Sequence, residues 1–281
     1  MGLRHDLASF LRNVMIQIDG LYKLFDGKNV LRGVSLGVRK GEVIALIGGS
    51  GSGKSVFLKH VVGLMKPDRG RVIVDGMDMS TLRGRDLTSL RDRLGFLFQG
   101  GALFDSMTVF ENVAFPLKEK TKLNDDLIRE RVFNELEHVG LSGSEYKYPS
   151  QISGGMVKRA ALARALVMDP EIMLFDEPTT GLDPVIGAAI LNLIDSCHKR
   201  LSFTGIIVTH EIPKVFDIVD RVAMLHEGII WADDTPEKLM SSSEPIVHAF
   251  VGEAANSSIR HQSGNTVVRG EGSQGEINEK I

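Results

Sequence analysis

Gly48-Gly49-Ser50-Gly51-Ser52-Gly53-Lys54-Ser55 is the stretch that decides how this chain folds. It fits G-x-x-x-x-G-K-S/T, the pattern of a phosphate-binding loop. Immediately before it, Val43-Ile44-Ala45-Leu46-Ile47 is an unbroken apolar run that reads as a buried strand. Immediately after it, Val56 to Leu64 predicts a helix with Phe57, Val61 and Leu64 on one stripe. The glycines let the backbone curl so that several N–H groups point at one anion. The start of the helix adds its partial positive charge at the same spot. Lys54 is placed to reach the β- and γ-phosphates and Ser55 to help hold Mg²⁺. Gly48 through Val56 is therefore the candidate nucleotide-binding stretch, with Lys54 also a candidate catalytic residue.

The chain around this loop has 281 residues, a formal net charge of −3 and 43% hydrophobic residues. That composition is ordinary for a globular protein and gives no general attraction to nucleic acid. No stretch approaches the roughly 18 apolar residues of a membrane span, and the start lacks the pattern of a secretory signal. Cys197 is the one cysteine, so no internal disulfide forms, which fits a reducing compartment. It is expected to be a small buried residue on a helix.

Outward from the loop, Met15–Phe25 and Val30–Val38 read as strands. Pro67-Asp68-Arg69-Gly70 is a turn, and Arg71–Val74 is a strand closed by the hairpin signal Asp75-Gly76. Arg85–Arg93 predicts a polar helix and Leu94–Phe98 a buried strand. From Gln99 to about Ser150 the pattern is mostly helical, with helices over Thr108–Leu117 and Asp125–Val139, and Pro116 is expected to end the first. Further on come a helix over Gly154–Val167, a strand over Ile172–Phe175, a helix over Val185–Lys199 and a strand over Gly205–Val208. A hairpin-like pair about Glu227-Gly228 follows, then a short helix with Thr235 as cap and Pro236 in first position. After Ala254 apolar periodicity is lost, and Asn256 to Ile281 reads as a disordered polar tail.

A second set of residues closes the strand Ile172-Met173-Leu174-Phe175 with Asp176-Glu177. Ligands of parallel sheets bind beyond the carboxyl ends of the strands, which puts both carboxylates near the loop. Asp176 is the candidate to orient Mg²⁺ through water, and Glu177 the candidate base for an attacking water. A third set, Ser153-Gly154-Gly155, opens the helix to Val167 as a second anion-binding helix start.

In this order the motifs resemble those of the ATP-binding subunits of ABC transporters, over about Met15 to Gly252. The resemblance implies an α/β P-loop fold with a RecA-like core, an antiparallel β subdomain and a helical subdomain at about 100–167. It implies that Ser153, Gly154 and Gly155 of one copy close over ATP held by the loop of a second copy. Phe25 then lies where an aromatic stacks on adenine. Gln99 matches the Q-loop glutamine, which contacts Mg²⁺ and senses the membrane subunit. Asp183 of Gly181-Leu182-Asp183 matches the D-loop residue that crosses between copies. His210, after the strand, matches the switch histidine that bonds the γ-phosphate. Met156 stands where most members carry glutamine, and a thioether cannot replace amide hydrogen bonds.

Three segments resemble the Mla-type ATPases in particular: Phe98 to Val109, Ser153 to Arg164, and Thr209-His210-Glu211-Ile212-Pro213. That implies an ATPase that energises phospholipid movement and maintains outer-membrane lipid asymmetry from the cytoplasmic face of the inner membrane. The implied partners are a permease, an MCE-domain lipid-binding protein and in some systems a STAS-domain subunit. Gly100–Leu117 is expected to form a groove for the permease. The expected organisation is a lead-in at 1–13, an ATP-binding domain at 14–253 and a tail at 254–281. The rival readings are an ABC ATPase for an amino acid or an ion, a non-transport ABC protein acting on DNA or ribosomes, and a module that binds ATP without hydrolysing it. One phosphate loop, no sustained heptads and the presence of Glu177 and His210 weigh against the last two.

Overall fold

The computed structural model describes residues 13–252. The lead-in expected over 1–13 (Asn13 apart) and the tail expected over 254–281 lie outside those residues. The chain opens with an antiparallel hairpin of β1 (Val14–Phe25) and β2 (Lys28–Arg39). Its turn, Asp26-Gly27, has φ of 49° and 78°. Two positive values in a row make the tight turn whose twist matches its flanking strands. β4 (Arg69–Val74) pairs with β1, and β5 (Met77–Asp78) folds back from it through Asp75-Gly76. The resulting four-stranded sheet has the order β2-β1-β4-β5.

The second sheet contains β3 (Val43–Ile47), β6 (Leu94–Leu97), β7 (Ile172–Asp176), β8 (Thr204–Thr209), β9 (Arg221–His226) and β10 (Ile229–Asp234). Its order is β10-β9-β3-β8-β7-β6, parallel except for β10, which returns antiparallel on β9. Every residue of β3 is buried, as its all-apolar sequence requires of a strand covered on both faces. Alternate side chains serve different cores. Val43, Ala45 and Ile47 join the larger cluster, with the helices; Ile44 and Leu46 join the cluster shared with the antiparallel sheet.

Three helices, α3 (Val109–Lys120), α4 (Asp125–His138) and α5 (Gly154–Leu166), stand between β6 and β7 in the chain, forming the helical subdomain. Around the parallel sheet lie α1 (Lys54–Val61), α2 (Gly84–Asp92), α6 (Pro184–Leu201) and α7 (Pro236–Met240). Cys197 is buried on α6, as expected.

Four expectations need correction. Pro116 does not end α3, which continues to Lys120. A proline forfeits one ladder bond, but α3 is anchored by a capping box between Thr108 and Glu111 and buries Val113, Ala114 and Leu117. Leu64 is not on the buried stripe of α1 and is 61% exposed. Gly63 turns left-handed at φ 68°, and the N–H groups of Gly63 and Leu64 bond back to His60 and Lys59, a glycine stop for the helix. Phe98 is exposed and lies past the end of β6, because the chain turns there, the carbonyl of Phe98 accepting from the N–H of Gly101 at 2.8 Å. Thr235 occupies the cap position of α7, yet its hydroxyl caps no helix N–H.

Candidate active site

The carboxyl ends of β3, β8, β7 and β6 lie side by side, and the loop after each carries a candidate residue. The loop after β3 is the phosphate loop. Gly48 has φ 155°, and a Cβ there would lie 2.3 Å from the Leu225 carbonyl oxygen. Gly53 has φ 104°, and a Cβ there would press on Leu31 and Val30. Both positions need glycine for closeness of approach as well as for backbone angle. Gly49, by contrast, would meet nothing within 4 Å. We therefore expect Gly48→Ala to lower stability by about 2–4 kcal/mol in urea denaturation, from strain plus a backbone clash. Gly49→Ala should change it by less than about 1 kcal/mol.

Lys54 opens α1 and turns back over its own loop. Its Nζ donates to the carbonyls of Gly48 at 2.8 Å and Gly49 at 3.1 Å. It also lies 3.7 Å from Glu177 Oε1, and both side chains are almost fully buried. Burial pulls the ammonium below the ordinary lysine value, while the carboxylates of Glu177 and Asp176 pull the other way. Ser55 Oγ donates to Asp176 Oδ1 at 2.9 Å. Burial raises the Asp176 carboxyl above its ordinary value, and the bond from Ser55 opposes that.

Glu177, one residue past β7, is held from several sides. Its N–H donates to Val208 O at 2.9 Å. Oε2 accepts from Thr180 Oγ1 at 3.1 Å and sits 2.8 Å from His210 Nδ1. Its φ of 51° is a left-handed value at a side-chain-bearing residue, the kind of strain that persists only when the surroundings fix it. The structure thus brings Lys54, Ser55, Asp176, Glu177 and His210 into one contiguous cluster.

Among the described residues the other candidates, outside the phosphate loop, make no direct hydrogen bond to it. Phe25 ends β1, 40% exposed, with Lys23 Nζ 5.7 Å from its ring. The side chain of Gln99, beyond β6, is exposed. Ser153 caps α5, its Oγ accepting from Met156 N at 3.3 Å. Among the described residues no hydrogen bond links Ser153, Gly154 or Gly155 to the phosphate loop. They pack beside the D-loop and the start of α6 instead: a Cβ on Gly154 would lie 3.7 Å from Leu182 Cδ2, and one on Gly155 2.7 Å from Ile186 Cγ2. Asp183 caps α6, accepting from Val185 N and Ile186 N, each at 3.0 Å. Met156 packs against the larger core, where a thioether is at ease. Thr180 was missed by sequence reasoning; the only signal was a hydroxyl shortly after the paired carboxylates.

The cluster suits a nucleotide triphosphate with a hard divalent cation. Ser52 Oγ is buried without a hydrogen-bond partner among the described residues, inside a ring of glycines. A hydroxyl beside a carboxylate, Ser55 with Asp176, is an oxygen donor set of the kind Mg²⁺ takes.

Comparison with known proteins agrees with this geometry. A family model described as ABC transporter matches residues 31–180. The chain is 44% identical over 248 residues to the probable ribonucleotide transport ATP-binding protein mkl of Mycobacterium tuberculosis, covering 88% of this chain and 69% of that one. It is 41% identical over 227 residues to the intermembrane phospholipid transport system ATP-binding protein MlaF of Haemophilus influenzae, covering 81% and 86%. A solved dimeric structure of the ATP-binding cassette MJ0796 bound to ADP and Pi superposes with TM-score 0.73 at 31% identity, covering 79% of this chain and 99% of that one.

Proposed function

Because the chain belongs to the ABC transporter family, we propose that it is the ATP-hydrolysing subunit that energises a phospholipid-transporting membrane complex. The chemistry is supported by the clustering of Lys54, Ser55, Asp176, Glu177 and His210 at the strand ends. The cargo is carried by one observation, the 41% identity to a protein named for intermembrane phospholipid transport.

In the proposed reaction a water oxygen attacks the γ-phosphorus of ATP and the bond to the β,γ-bridging oxygen breaks, leaving ADP and phosphate. Glu177 takes the proton from that water. His210 and Thr180 hold the carboxylate by the same oxygen, leaving the other toward Lys54. Lys54 exchanges carbonyl partners of its own loop for the β- and γ-phosphate oxygens. Ser55 and Asp176, with Gln99, would hold Mg²⁺, which when bound supplies positive charge across the β- and γ-phosphates. Phe25 offers its exposed ring to the adenine.

Two copies are proposed to pair head to tail, with Ser153, Gly154 and Gly155 of one facing the γ-phosphate held by the other. The dimeric state of the MJ0796 cassette supports this, as do the exposed apolar side chains of Val185 and of Ile186, the latter packed beside Gly155. Closure that favours ATP over ADP supplies the differential affinity needed to drive a membrane partner. Among the described residues no helix is long and apolar enough to cross a membrane. From the likeness to the Haemophilus influenzae relative we place the chain on the cytoplasmic face of the inner membrane, bound to a permease that works with an MCE-domain protein and, in some systems, a STAS-domain subunit. Phe98, Ala102, Phe104, Phe115, Pro116 and Met168 line a concave groove of about 350 Å³, the proposed seat for a permease helix. The ATP-binding domain is assigned to 14–253, with its helical subdomain at about 100–167.

A second reading, ribonucleotide as cargo, follows from the name of the mycobacterial relative. Mass spectrometry of the intact detergent-purified assembly separates the two. We expect co-purified phospholipid and an ATPase rate that rises with added phospholipid. A lipid-free assembly stimulated by ribonucleotides other than ATP would favour the second reading.

A further inference from the structure

Lys158 lies in the second turn of α5 and is only 6% exposed. The rest of that buried face is glycine, alanine and leucine. A buried ammonium must find partners, and these are two main-chain oxygens. Lys158 Nζ donates to the carbonyl of Gln99 and lies 3.5 Å from the carbonyl of Glu177. Burial lowers its basicity, and the carboxylates of Glu211, Glu177 and Asp176 counter that effect.

The two carbonyls have a common history. β6 and β7 are adjacent parallel strands, paired as far as Leu97 and Phe175. Just beyond these residues the ladder stops, and each main chain needs partners from elsewhere. Glu177 needs them most, because its left-handed φ is unfavourable without outside support. Val208 takes its N–H, and its C=O is shared between the N–H of Thr180 at 3.4 Å, from its own turn, and Lys158, from another element. Lys158 also belongs to the helix that begins at Ser153-Gly154-Gly155. One side chain therefore links three parts: the start of α5, the loop after β6 and the main chain of Glu177.

We propose that Lys158 is a positioning residue for hydrolysis, clamping the main chain of Glu177 to α5 so that the carboxylate is aimed when that helix is seated. The proposal rests on the reading of Glu177 as the base. Lys158 acts through Glu177 and makes no contribution to nucleotide affinity.

The test uses the full chain in its purified membrane assembly and compares Lys158→Met, Lys158→Arg, Glu177→Gln and the Lys158→Met/Glu177→Gln double variant. Lys158→Met should lower kcat by about 10- to 100-fold, the scale of a small misplacement of a reacting group. The KM for MgATP and the thermal shift on binding MgATP should stay within about two-fold of the parent, which sets a merely destabilised protein apart. Lys158→Arg, which can still donate to both carbonyls, should recover most of the rate. In the Glu177→Gln background, Lys158→Met should cost less than about two-fold more, because residues that act as a unit are not additive. If Lys158→Met does not fold, Lys158→Gln, whose amide keeps a donor, takes its place with the same readouts. Undiminished kcat in the Lys158 variant, or full additivity in the double variant, overturns the proposal alone. Undiminished turnover in Glu177→Gln by itself overturns the base assignment and the proposal with it.

Discussion

Glu177→Gln is expected to lower ATP turnover by about 10²–10⁴-fold, the range for loss of a positioned base, while ATP binding is retained. Glutamine has the same shape, so Thr180 and His210 keep a side-chain oxygen to bond, and the N–H bond to Val208 is untouched. What is lost is the capacity to take a proton from water. The neutral amide also frees Lys54, which lies 3.7 Å from the carboxylate, so phosphate no longer competes with a buried anion for that ammonium. Two readouts follow. Turnover of the assembled complex should collapse, and size-exclusion chromatography with MgATP should show a dimer that ADP does not maintain. Turnover equal to the parent would remove Glu177 from its role. A collapse of turnover without ATP binding would mean that the substitution had damaged the loop rather than the chemistry.

The cluster around Glu177 was legible where burial leaves one reading. β3 and β7 are covered on both faces, so they are apolar runs, and the residues that end them stand where parallel sheets present ligands. Ser153 was legible as a helix start because capping is local chemistry; the cap that Asp183 gives α6 was not read. Contacts set by distant parts of the chain were hidden. Thr180 reaches Glu177 only because the loop after β7 turns back on itself. Lys158 reads as an ordinary helix lysine until β6 and β7 are placed beneath it. The two strands flanking Asp26-Gly27 were legible despite the register shifts of their pairing, which blur strict alternation. The end of α1 depended on a glycine stop that overrode an apolar stripe continuing through Leu64. Pro116 misled because a penalty of about 3 kcal/mol for an internal proline is decisive only when little else holds the helix.

Lys54→Ala is expected to abolish nucleotide-induced thermal stabilisation. A ligand at about 100 times its Kd stabilises the protein that binds it by about 2.7 kcal/mol. For a chain of this size that corresponds to a rise in Tm of roughly 5–10 °C, and the variant should show almost none. The same change should alter the protein before any nucleotide is added. Lys54 donates to the carbonyls of Gly48 and Gly49 and faces Glu177 inside a buried site. Its removal takes a donor from both carbonyls, of which Gly49 keeps the N–H of Ser52 at 3.2 Å, at a cost of about 1–3 kcal/mol. Glu177 keeps Thr180 and His210, so its charge is not left alone. Basal Tm and the MgATP increment therefore report different things, the first the internal bonds of the loop and the second its grip on phosphate. Glu177→Gln serves as the control, since it should lose turnover and keep the increment. If Lys54→Ala kept a full MgATP shift at the same ratio of ligand to parent Kd, nucleotide would be held elsewhere, and the loop after β3 would not be its seat.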